Sequence, residues 1–329
     1  MDMEVVLRGI TFGYQPERLL FDGLNAEFES NKTHVLLGKS GSGKSTLLKI
    51  LSGDLNPQAG TISSDGQPWH QSEDSVLPGY RHVAFLNQEF DLLPFCTTKE
   101  NIRRRLSGYS PEEEEEIIRD VSIKLDIKNI LNRRATDISG GQKQRVAFAA
   151  ALARRPKILL LDEPLSNQDF ENAENIKDIL QYLRGRKTLI ITAHEESEAL
   201  GRADAIHILD NGCILQKDTP ERLFEHPKNE LCASLLGYYN KLPKDWIEIN
   251  FKVQIPENGD EYLFTRPHHW VLNKTFGLPC HIMRSEYQGM YHMVLVEVDS
   301  FYLYVFYPGT RFEPQDRWKV AYQGFKRSL

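Results

Sequence analysis

A glycine-rich loop at residues 38–45 is the feature of this sequence that most constrains its fold. The loop reads Gly-Lys-Ser-Gly-Ser-Gly-Lys-Ser and matches GxxxxGK[ST] at every fixed position. It follows the short apolar run Thr33–Leu37 and precedes a helical pattern at 45–51. Such a loop turns successive backbone N–H groups, and the positive end of the following helix, toward phosphate groups. The sequence therefore predicts a phosphate-binding P-loop rather than an ordinary flexible turn.

The side chains of this loop predict which groups bind the nucleotide. Lys44 is expected to reach the β- and γ-phosphates, and Ser45 to bind Mg²⁺. ATP and Mg²⁺ are therefore the predicted cofactors. The other candidate phosphate-binding residues are their neighbours in the chain: Gly38, Lys39, Ser40, Gly41, Ser42, Gly43 and Thr46.

A pair of acidic residues supplies the second half of the predicted site. Asp162 and Glu163 directly follow the uninterrupted apolar run Ile158–Leu161. A carboxylate at the end of a buried strand can hold the Mg²⁺ shell, which suits Asp162. Glu163 is placed to polarise an attacking water. Two adjacent acids are also an ordinary way to end a strand, and the P-loop favours the catalytic interpretation.

Short apolar runs recur between helical patterns through about the first 235 residues. The runs at 188–192 and 205–209 resemble Ile158–Leu161 in length and composition, and 111–126 reads as a surface helix with acidic residues at its start. Continuous apolar runs of this length are typical of buried parallel strands, and their alternation with helices predicts an α/β domain.

The pattern changes after about residue 239. Short segments rich in Val, Ile, Tyr and Phe are separated by turn residues such as Asn258-Gly259 and Pro308-Gly309, which predicts a small all-β domain of about 90 residues. The predicted strand segments are 247–255, Tyr291–Val298, 301–307 and Trp318–Tyr322.

Composition narrows the possible classes of protein. The 329 residues carry a formal net charge of −6, which gives no general basic footprint for nucleic acid. The four cysteines form no CxxC pair, so neither a zinc site nor a disulfide framework is indicated, and a reducing compartment is favoured. No run reaches the roughly 18–20 apolar residues of a spanning helix, and the N-terminus lacks a signal-peptide core. Any membrane role is therefore expected to come through a partner.

A second motif points to a family. Ile138 is followed by Ser139, Gly140, Gly141 and Gln142, and this sequence resembles the LSGGQ signature of ATP-binding-cassette (ABC) ATPases. Ser139 is a good N-cap, and the glycines expose the N–H groups of a helix running to about residue 153, which makes a phosphate site. A plain capped helix is the alternative, and the accompanying P-loop argues against it.

The resemblance implies roles for three further residues. Gln88 is similar to the Q-loop glutamine, which contacts Mg²⁺ or water and senses a transmembrane partner, although Asn87 replaces the usual Phe before it. His194 resembles the switch histidine that contacts the γ-phosphate. Tyr14 resembles the aromatic that stacks on adenine, with a place in the core as its alternative. Residues 166–169 read SNQD where the D-loop usually reads SALD, so the two central residues depart from the pattern.

The resemblance also implies an architecture. ABC ATPases bind ATP between the P-loop of one subunit and the signature of another, so a head-to-tail pair of this chain is expected. The ATPase domain would span 1–238, with a helical subdomain at about 90–155. Permease subunits would dock on residues 88–95, including Leu92, Leu93 and Phe95, and hold the chain at the cytoplasmic face of the membrane.

The C-terminal part resembles importer ATPases. The sequence from Glu195 to Pro227 is similar to their tail, and Arg266-Pro267 resembles the landmark of the transport-associated, OB-like (TOBE) domain, with His268 replacing Glu. That domain would span 239–329. The resemblance implies an ATPase that energises a solute importer and works with a substrate-binding protein. An exporter ATPase, or a soluble ABC ATPase acting on ribosomes or DNA, remains the alternative, but no nucleic-acid partner is expected.

Overall fold

The computed structural model describes residues 4–15, 17–64, 66–69, 80, 82–87, 91–166, 170–194, 196–255, 261–309, 312–313, 315 and 317–324. The chain divides into two compact units, Met1–Pro220 and Glu221–Leu329. The second unit thus begins earlier in the chain than the predicted boundary at 238/239. The reason is that short helices before residue 238 form hydrogen bonds with residues of the second unit.

The first unit is built around a mixed sheet. Its strands are β3 (Thr33–Leu37), β6 (Val83–Leu86), β7 (Ile158–Leu161), β8 (Thr188–Ala193), β9 (Ala205–Asp210) and β10 (Cys213–Asp218). Their order is β10-β9-β3-β8-β7-β6, and all pairs are parallel except that of β10 with β9. Strands β3, β7 and β8 are buried along their whole length, which explains their predominantly apolar sequences.

An antiparallel sheet packs against this centre. It has the order β2-β1-β4-β5 and consists of β1 (Val5–Phe12), β2 (Phe21–Phe28), β4 (Ala59–Ser64) and β5 (Gln67–Pro68). Apolar side chains from β1 and β2 join those of the mixed sheet in one core cluster, which includes Leu7, Phe28, Leu36 and Leu160. The helices of the first unit are α1 (Lys44–Ser52), α2 (Thr98–Arg103), α3 (Pro111–Lys124), α4 (Gly140–Ala153), α5 (Phe170–Leu183) and α6 (Glu196–Leu200).

The predicted α/β class is confirmed, and most predicted elements lie where the sequence placed them. Strands β3 and β7 have the predicted bounds, and α3 ends two residues before the predicted residue 126. Helix α3 starts at a Ser110 capping box with Pro111 as its first residue, which satisfies N–H groups that a helix start leaves unpaired.

The second unit contains a strongly curved antiparallel sheet. Its order is β13-β17-β14-β15-β16, and the edge strands β13 and β16 contact each other, so the sheet is nearly a closed barrel. A separate pair, β11 with β12, precedes it along the chain. The strands are β11 (Asn240–Pro243), β12 (Tyr262–Thr265), β13 (Trp270–Asn273), β14 (Leu278–Tyr287), β15 (Tyr291–Val298), β16 (Phe301–Pro308) and β17 (Trp318–Tyr322). The predicted C-terminal β domain is thereby confirmed in its architecture.

One predicted strand, 247–255, was wrong. Residues Lys244–Phe251 form helix α9, with Ile247 buried and Ile249 75% exposed. A strand would turn these two side chains to the same face, whereas a helix separates them. Pro243 starts the helix and Lys252, with φ 54°, ends it in the left-handed region. The β-branched residues of this segment favoured a strand in the sequence, but the helix is the structure that buries Ile247 and leaves Ile249 exposed.

Arg266 organises the start of the second unit. Its buried guanidinium lies over the Phe224 ring and donates to the carbonyl of Phe224 at 2.8 Å. It also donates to the carbonyls of Ala233, Gly237 and Tyr238. One side chain thus joins the ends of α7 (Pro220–Glu225) and α8 (Glu230–Ser234) to the turn after them.

A carboxylate and two histidines cluster beside this arginine. Glu225 accepts from His269 Nε2 at 2.8 Å and lies 3.3 Å from His268 Nε2. Burial opposes the charge of Glu225, but the hydrogen bonds from the histidines outweigh it and lower the Glu225 pKa to about 2. His269 Nδ1 accepts the backbone N–H of Arg266, so the nitrogen facing Glu225 carries a proton. The geometry therefore favours a hydrogen-bonded cluster over a set of metal ligands.

Candidate nucleotide-binding site

The candidate site lies where three neighbouring parallel strands end. The P-loop follows β3, Asp162 follows β7, and His194 follows β8. These strands are adjacent in the order β3-β8-β7, so the sheet brings together residues that are far apart in the sequence. The carboxyl edge of a parallel sheet is where open α/β proteins bind ligands.

The P-loop wraps closely around the start of α1. Gly41 and Gly43 have φ values of 80° and 106°, a region that favours glycine. Gly38 has no room for a side chain, because a Cβ there would lie 2.2 Å from the carbonyl oxygen of Leu209. Helix α1 begins without a side-chain cap, so its first N–H groups remain available to an anion.

Lys44 lies inside the loop. Its Nζ donates to the carbonyls of Gly38 at 2.8 Å and Lys39 at 3.1 Å. Burial lowers the Lys44 pKa, and the charges of Glu163 and Asp162 oppose that shift. The ammonium group is thus held by neutral carbonyls, which a phosphate oxygen would replace as a stronger acceptor.

Asp162 and Ser45 fit a magnesium site. Ser45 Oγ donates to Asp162 Oδ1 at 2.9 Å, which places a hydroxyl and a carboxylate side by side. Oxygen ligands of this kind suit Mg²⁺, whose octahedral shell is usually completed by phosphate oxygens and water. The donor set therefore agrees with the predicted cofactor.

Glu163 adopts an unusual backbone conformation at the same edge. Its φ of 50° lies in the left-handed region, which non-glycine residues rarely adopt. Its side chain contacts His194 Nε2, and its carbonyl accepts from Ser166 Oγ at 2.9 Å. The predicted catalytic pair, Glu163 and His194, is therefore in direct contact.

Tyr14 is exposed rather than part of the core. Its ring is 65% exposed, and its hydroxyl lies 3.0 Å from Thr46 Oγ1 at the start of α1. Tyr14 and Thr46 line one open cleft of about 480 Å³. The other lining residues are Gln15, Arg18, Leu19, Leu20, Ser40, Gly41, Gly43, Lys44, Ser45, Glu163 and His194.

Some predicted site residues lie outside this cleft or outside the described part of the chain. Gln88, Glu195 and residues 167–169 of the D-loop belong to the undescribed residues. The signature residues are described, but among the described residues that line the cleft there is no member of 139–142.

The signature forms the start of helix α4. Ser139 Oγ accepts the Gln142 N–H at 3.3 Å, and the Gln142 side chain accepts the Ser139 N–H at 3.1 Å. This reciprocal capping box encloses two glycines, of which Gly140 is exposed and Gly141 is buried. Gln144, one turn further, donates to the Pro164 carbonyl at 3.4 Å. The signature helix is therefore tied to the turn that follows Glu163.

Comparison with known proteins identifies the family. Residues 21–166 match the family described as ABC transporter. The chain is 31% identical over 278 residues to the sulfate/thiosulfate import ATP-binding protein CysA of Synechocystis, covering 82% of this chain and 77% of that protein. The chain belongs to the ABC transporter family. It is also 34% identical to the spermidine/putrescine import ATP-binding protein PotA of Ruegeria pomeroyi, over 73% of this chain and 66% of that protein.

A solved ABC protein shares the fold. The structure of cbiO1 from Clostridium perfringens, part of the ABC transporter complex cbiONQ, matches with a TM-score of 0.61 and 23% identity. The match covers 68% of this chain and 91% of that chain. In this ABC protein, no helix of the described residues is both long enough and apolar enough to cross a membrane.

The sequence interpretation missed one residue of this ABC site. Thr192, near the end of β8, is fully buried and bonds to both residues of the acidic pair. A signal was present, because a hydroxyl in a buried strand needs a hydrogen-bond partner. The position of Thr192, two residues before His194, places it at the same sheet edge as Asp162.

Proposed function

We propose that this chain is the ATP-hydrolysing subunit of an ABC solute importer. The observation that carries the proposal is the contact of Glu163 with His194 beside the P-loop. The similarity of this chain to import ATP-binding proteins supports the importer class. The ATPase activity follows from family membership, and the residues beside the P-loop are suited to it.

Hydrolysis requires a base, groups that bind the phosphates, and groups that neutralise the charge that develops on the phosphate oxygens. Glu163 would accept the proton of the attacking water, and His194, in contact with Glu163, would hold that carboxylate toward the γ-phosphate. Lys44 and the N–H groups of the P-loop and α1 would bind the β- and γ-phosphates. Mg²⁺ held by Ser45 and Asp162 would neutralise charge that develops on the phosphate oxygens.

The cleft provides one half of a site, and a second copy of the chain would provide the other. The N-terminus of α4 is exposed at Ser139 and Gly140 but does not line the cleft of its own chain. An anion-binding helix end of this kind suits the γ-phosphate of a partner's ATP. We infer a head-to-tail pair with two composite sites, which ATP closes and hydrolysis opens.

Permease subunits would bind at a groove in the first unit. The groove holds about 410 Å³ and is lined by residues that include Asn87, Leu92 and Arg104. Beside it, Leu93 is 45% exposed and Phe95 is 78% exposed. The buried Asn101 side chain fixes this loop, since it accepts the Leu93 N–H at 2.8 Å and donates to the carbonyls of Leu93, Cys96 and Thr97. An apolar loop fixed in an exposed position is suited to receive a segment of another protein.

Binding to permease subunits would hold the chain at the cytoplasmic face of the membrane. A permease and a substrate-binding protein would select the cargo, which the ATPase subunit does not touch. The near-barrel sheet of the second unit would serve as a regulatory TOBE-like domain. The relatives named above import sulfate/thiosulfate and spermidine/putrescine, and both are candidate cargo classes for this chain.

Substitution of Glu163 tests the catalytic assignment. Glu163→Gln should bind ATP but release phosphate about 10²–10⁴-fold more slowly, because the amide cannot accept the proton. Lys44→Ala should instead weaken ATP binding itself. ATP affinity is measured with a fluorescent analogue, and turnover by phosphate release. Near-normal turnover of Glu163→Gln would contradict the role of Glu163 as the base.

Purification from native membranes tests the transport assignment. A tagged chain expressed at its natural level should copurify in detergent with a multi-spanning membrane protein. The Phe95→Asp variant should lose that partner while keeping its own ATP affinity. Copurification with ribosomes or DNA instead would favour the soluble-ATPase alternative.

A further inference from the structure

Thr192 connects the two acidic residues of the site. It is the fifth residue of β8 and pairs in register with Leu36 of β3, in the middle of the sheet. Its side chain is fully buried, so water does not compete for its hydroxyl. The Thr192 Oγ1 atom lies 2.7 Å from Asp162 Oδ1 and 2.8 Å from the backbone nitrogen of Glu163.

The chemistry of a hydroxyl fixes the direction of these bonds. The Glu163 N–H can only donate, so Thr192 Oγ1 accepts it. The single Thr192 proton is then free to be donated to Asp162 Oδ1, which also accepts from Ser45 Oγ. Two hydroxyl donors on Oδ1 fix the rotation of the Asp162 carboxylate. Asp162 thereby keeps its other oxygen for the metal shell.

The second bond acts where the backbone is strained. Glu163 has a φ of 50°, and a non-glycine residue in this region is retained when its surroundings hold it there. Thr192 holds the N–H of Glu163, and Ser166 holds its carbonyl. The peptide units on both sides of the catalytic carboxylate are therefore anchored by side-chain hydroxyls.

We propose that Thr192 is a positioning residue for ATP hydrolysis, whose one hydroxyl sets the Asp162 carboxylate and the Glu163 backbone relative to each other. This proposal rests on the proposed function of the acidic pair. Thr192 does not contact ATP and acts through Asp162 and Glu163. A valine at position 192 has nearly the same shape but can neither donate nor accept, so it would release both residues together.

Two substitutions of Thr192 separate the hydroxyl from its packing. Thr192→Val should lower kcat by about 10- to 100-fold, the size expected when a reacting group is misplaced by about 1 Å. The KM for ATP should change by less than about 3-fold, since the P-loop is untouched. Thr192→Ser keeps the hydroxyl and should restore most of kcat.

Thr188 provides a matched control on the same strand. It is also buried, and its Oγ1 accepts the Asn31 N–H at 2.9 Å, away from the cleft. Thr188→Val removes a buried acceptor as Thr192→Val does, so both variants should lose a similar amount of thermal stability. Only Thr192→Val should lose kcat. Equal losses of kcat in the two valine variants would show a general effect of weakening β8 and would overturn the proposal.

A binding measurement supplies a readout besides activity. The Mg²⁺ concentration that gives half-maximal binding of a fluorescent ATP analogue should rise several-fold in Thr192→Val and remain normal in Thr188→Val. An unchanged Mg²⁺ requirement together with a normal kcat would reject the role of Thr192. In a Glu163→Gln background, Thr192→Val should cause a smaller loss of turnover than in the natural chain, because only its effect through Asp162 remains. A normal turnover of Glu163→Gln alone would instead reject the proposed catalytic site.

Discussion

At the scale of single residues, two buried histidines of the mixed sheet form a hydrogen-bonded pair. His34 and His207 lie on the adjacent strands β3 and β9, with Nδ1 of His34 and Nε2 of His207 3.1 Å apart. His34 Nε2 lies 3.0 Å from the Glu29 carbonyl and must donate to it, so His34 Nδ1 accepts from His207. A second proton on His34 Nδ1 would break the bond from His207, and a second proton on the buried His207 Nδ1 would find no hydrogen-bond acceptor.

This pair predicts loss of stability in mild acid. Burial lowers the pKa of His34 to about 4 and that of His207 well below its ordinary value. In the unfolded chain both should titrate near 6.5, so below that pH the unfolded state binds protons that the folded state does not. The free energy of unfolding of the first unit should thus fall as the pH drops from about 6.5 to about 4, by about 2 kcal/mol or more.

Hydrogen exchange of β3 and β9 peptides at pH 7.5 and pH 5, corrected for intrinsic exchange rates, measures this loss in the first unit. The double variant His34→Gln, His207→Gln cannot titrate in this range and should show a smaller difference between the two pH values. The same pH dependence in the variant and the natural chain would mean that other groups cause the loss.

At the scale of helices and strands, the sequence predicts best where burial is uniform. Strands β3 and β7 are buried on both faces, so their apolar runs mark their bounds directly. Helix α9 was missed because Ile247 and Ile249 suit either structure, and only tertiary burial decides between them. Asp162 and Glu163 were predictable from their place after a strand. The bonds of Thr192 were not, because they depend on the pairing of β7 with β8.

The signature helix carries a prediction at this scale. Ser139→Ala removes one cap of α4 and should destabilise the chain by about 1 kcal/mol. Ser139→Arg removes the same cap and also places a bulky side chain at the proposed dimer face. It should therefore abolish the ATP-dependent dimer that Glu163→Gln accumulates, as measured by size-exclusion chromatography.

Helix α3 offers the control, because Ser110 forms a capping box of the same kind. Ser110→Arg should lose similar stability and still dimerise with ATP. If Ser139→Arg dimerised as readily as Ser110→Arg, the signature would not lie in the interface.

Arg266 carries a prediction about the start of the second unit. Arg266→Lys keeps the charge but cannot reach four carbonyls with one ammonium group, so about 3 kcal/mol of stability should be lost. Of the 4 tryptophans, Trp246, Trp270 and Trp318 belong to this unit, so their fluorescence follows its unfolding in urea. Arg284→Lys on the exposed surface of β14 should have little effect. Equal stabilities of the two variants would contradict the role of Arg266.

At the scale of the whole molecule, the separation of signature and cleft has a consequence for mixtures of variants. If each site combines the P-loop of one chain with Ser139 of another, Lys44→Ala and Ser139→Arg should both be inactive alone. A mixed pair contains one damaged site with both defects and one intact site. Mixing the two variants should therefore restore part of the phosphate release, whereas a site formed within one chain would leave the mixture inactive.

The position of the base in the mixed pair makes this prediction specific. The intact site uses the P-loop and Glu163 of the Ser139→Arg chain, since these lie in one cleft. Adding Glu163→Gln to that chain should abolish the restored activity, whereas adding it to the Lys44→Ala chain should leave the activity unchanged. Phosphate release from the two mixtures, at equal protein concentration, measures the difference. Equal effects of the two additions would contradict the head-to-tail pair, because only that arrangement makes the two chains unequal in the mixed dimer.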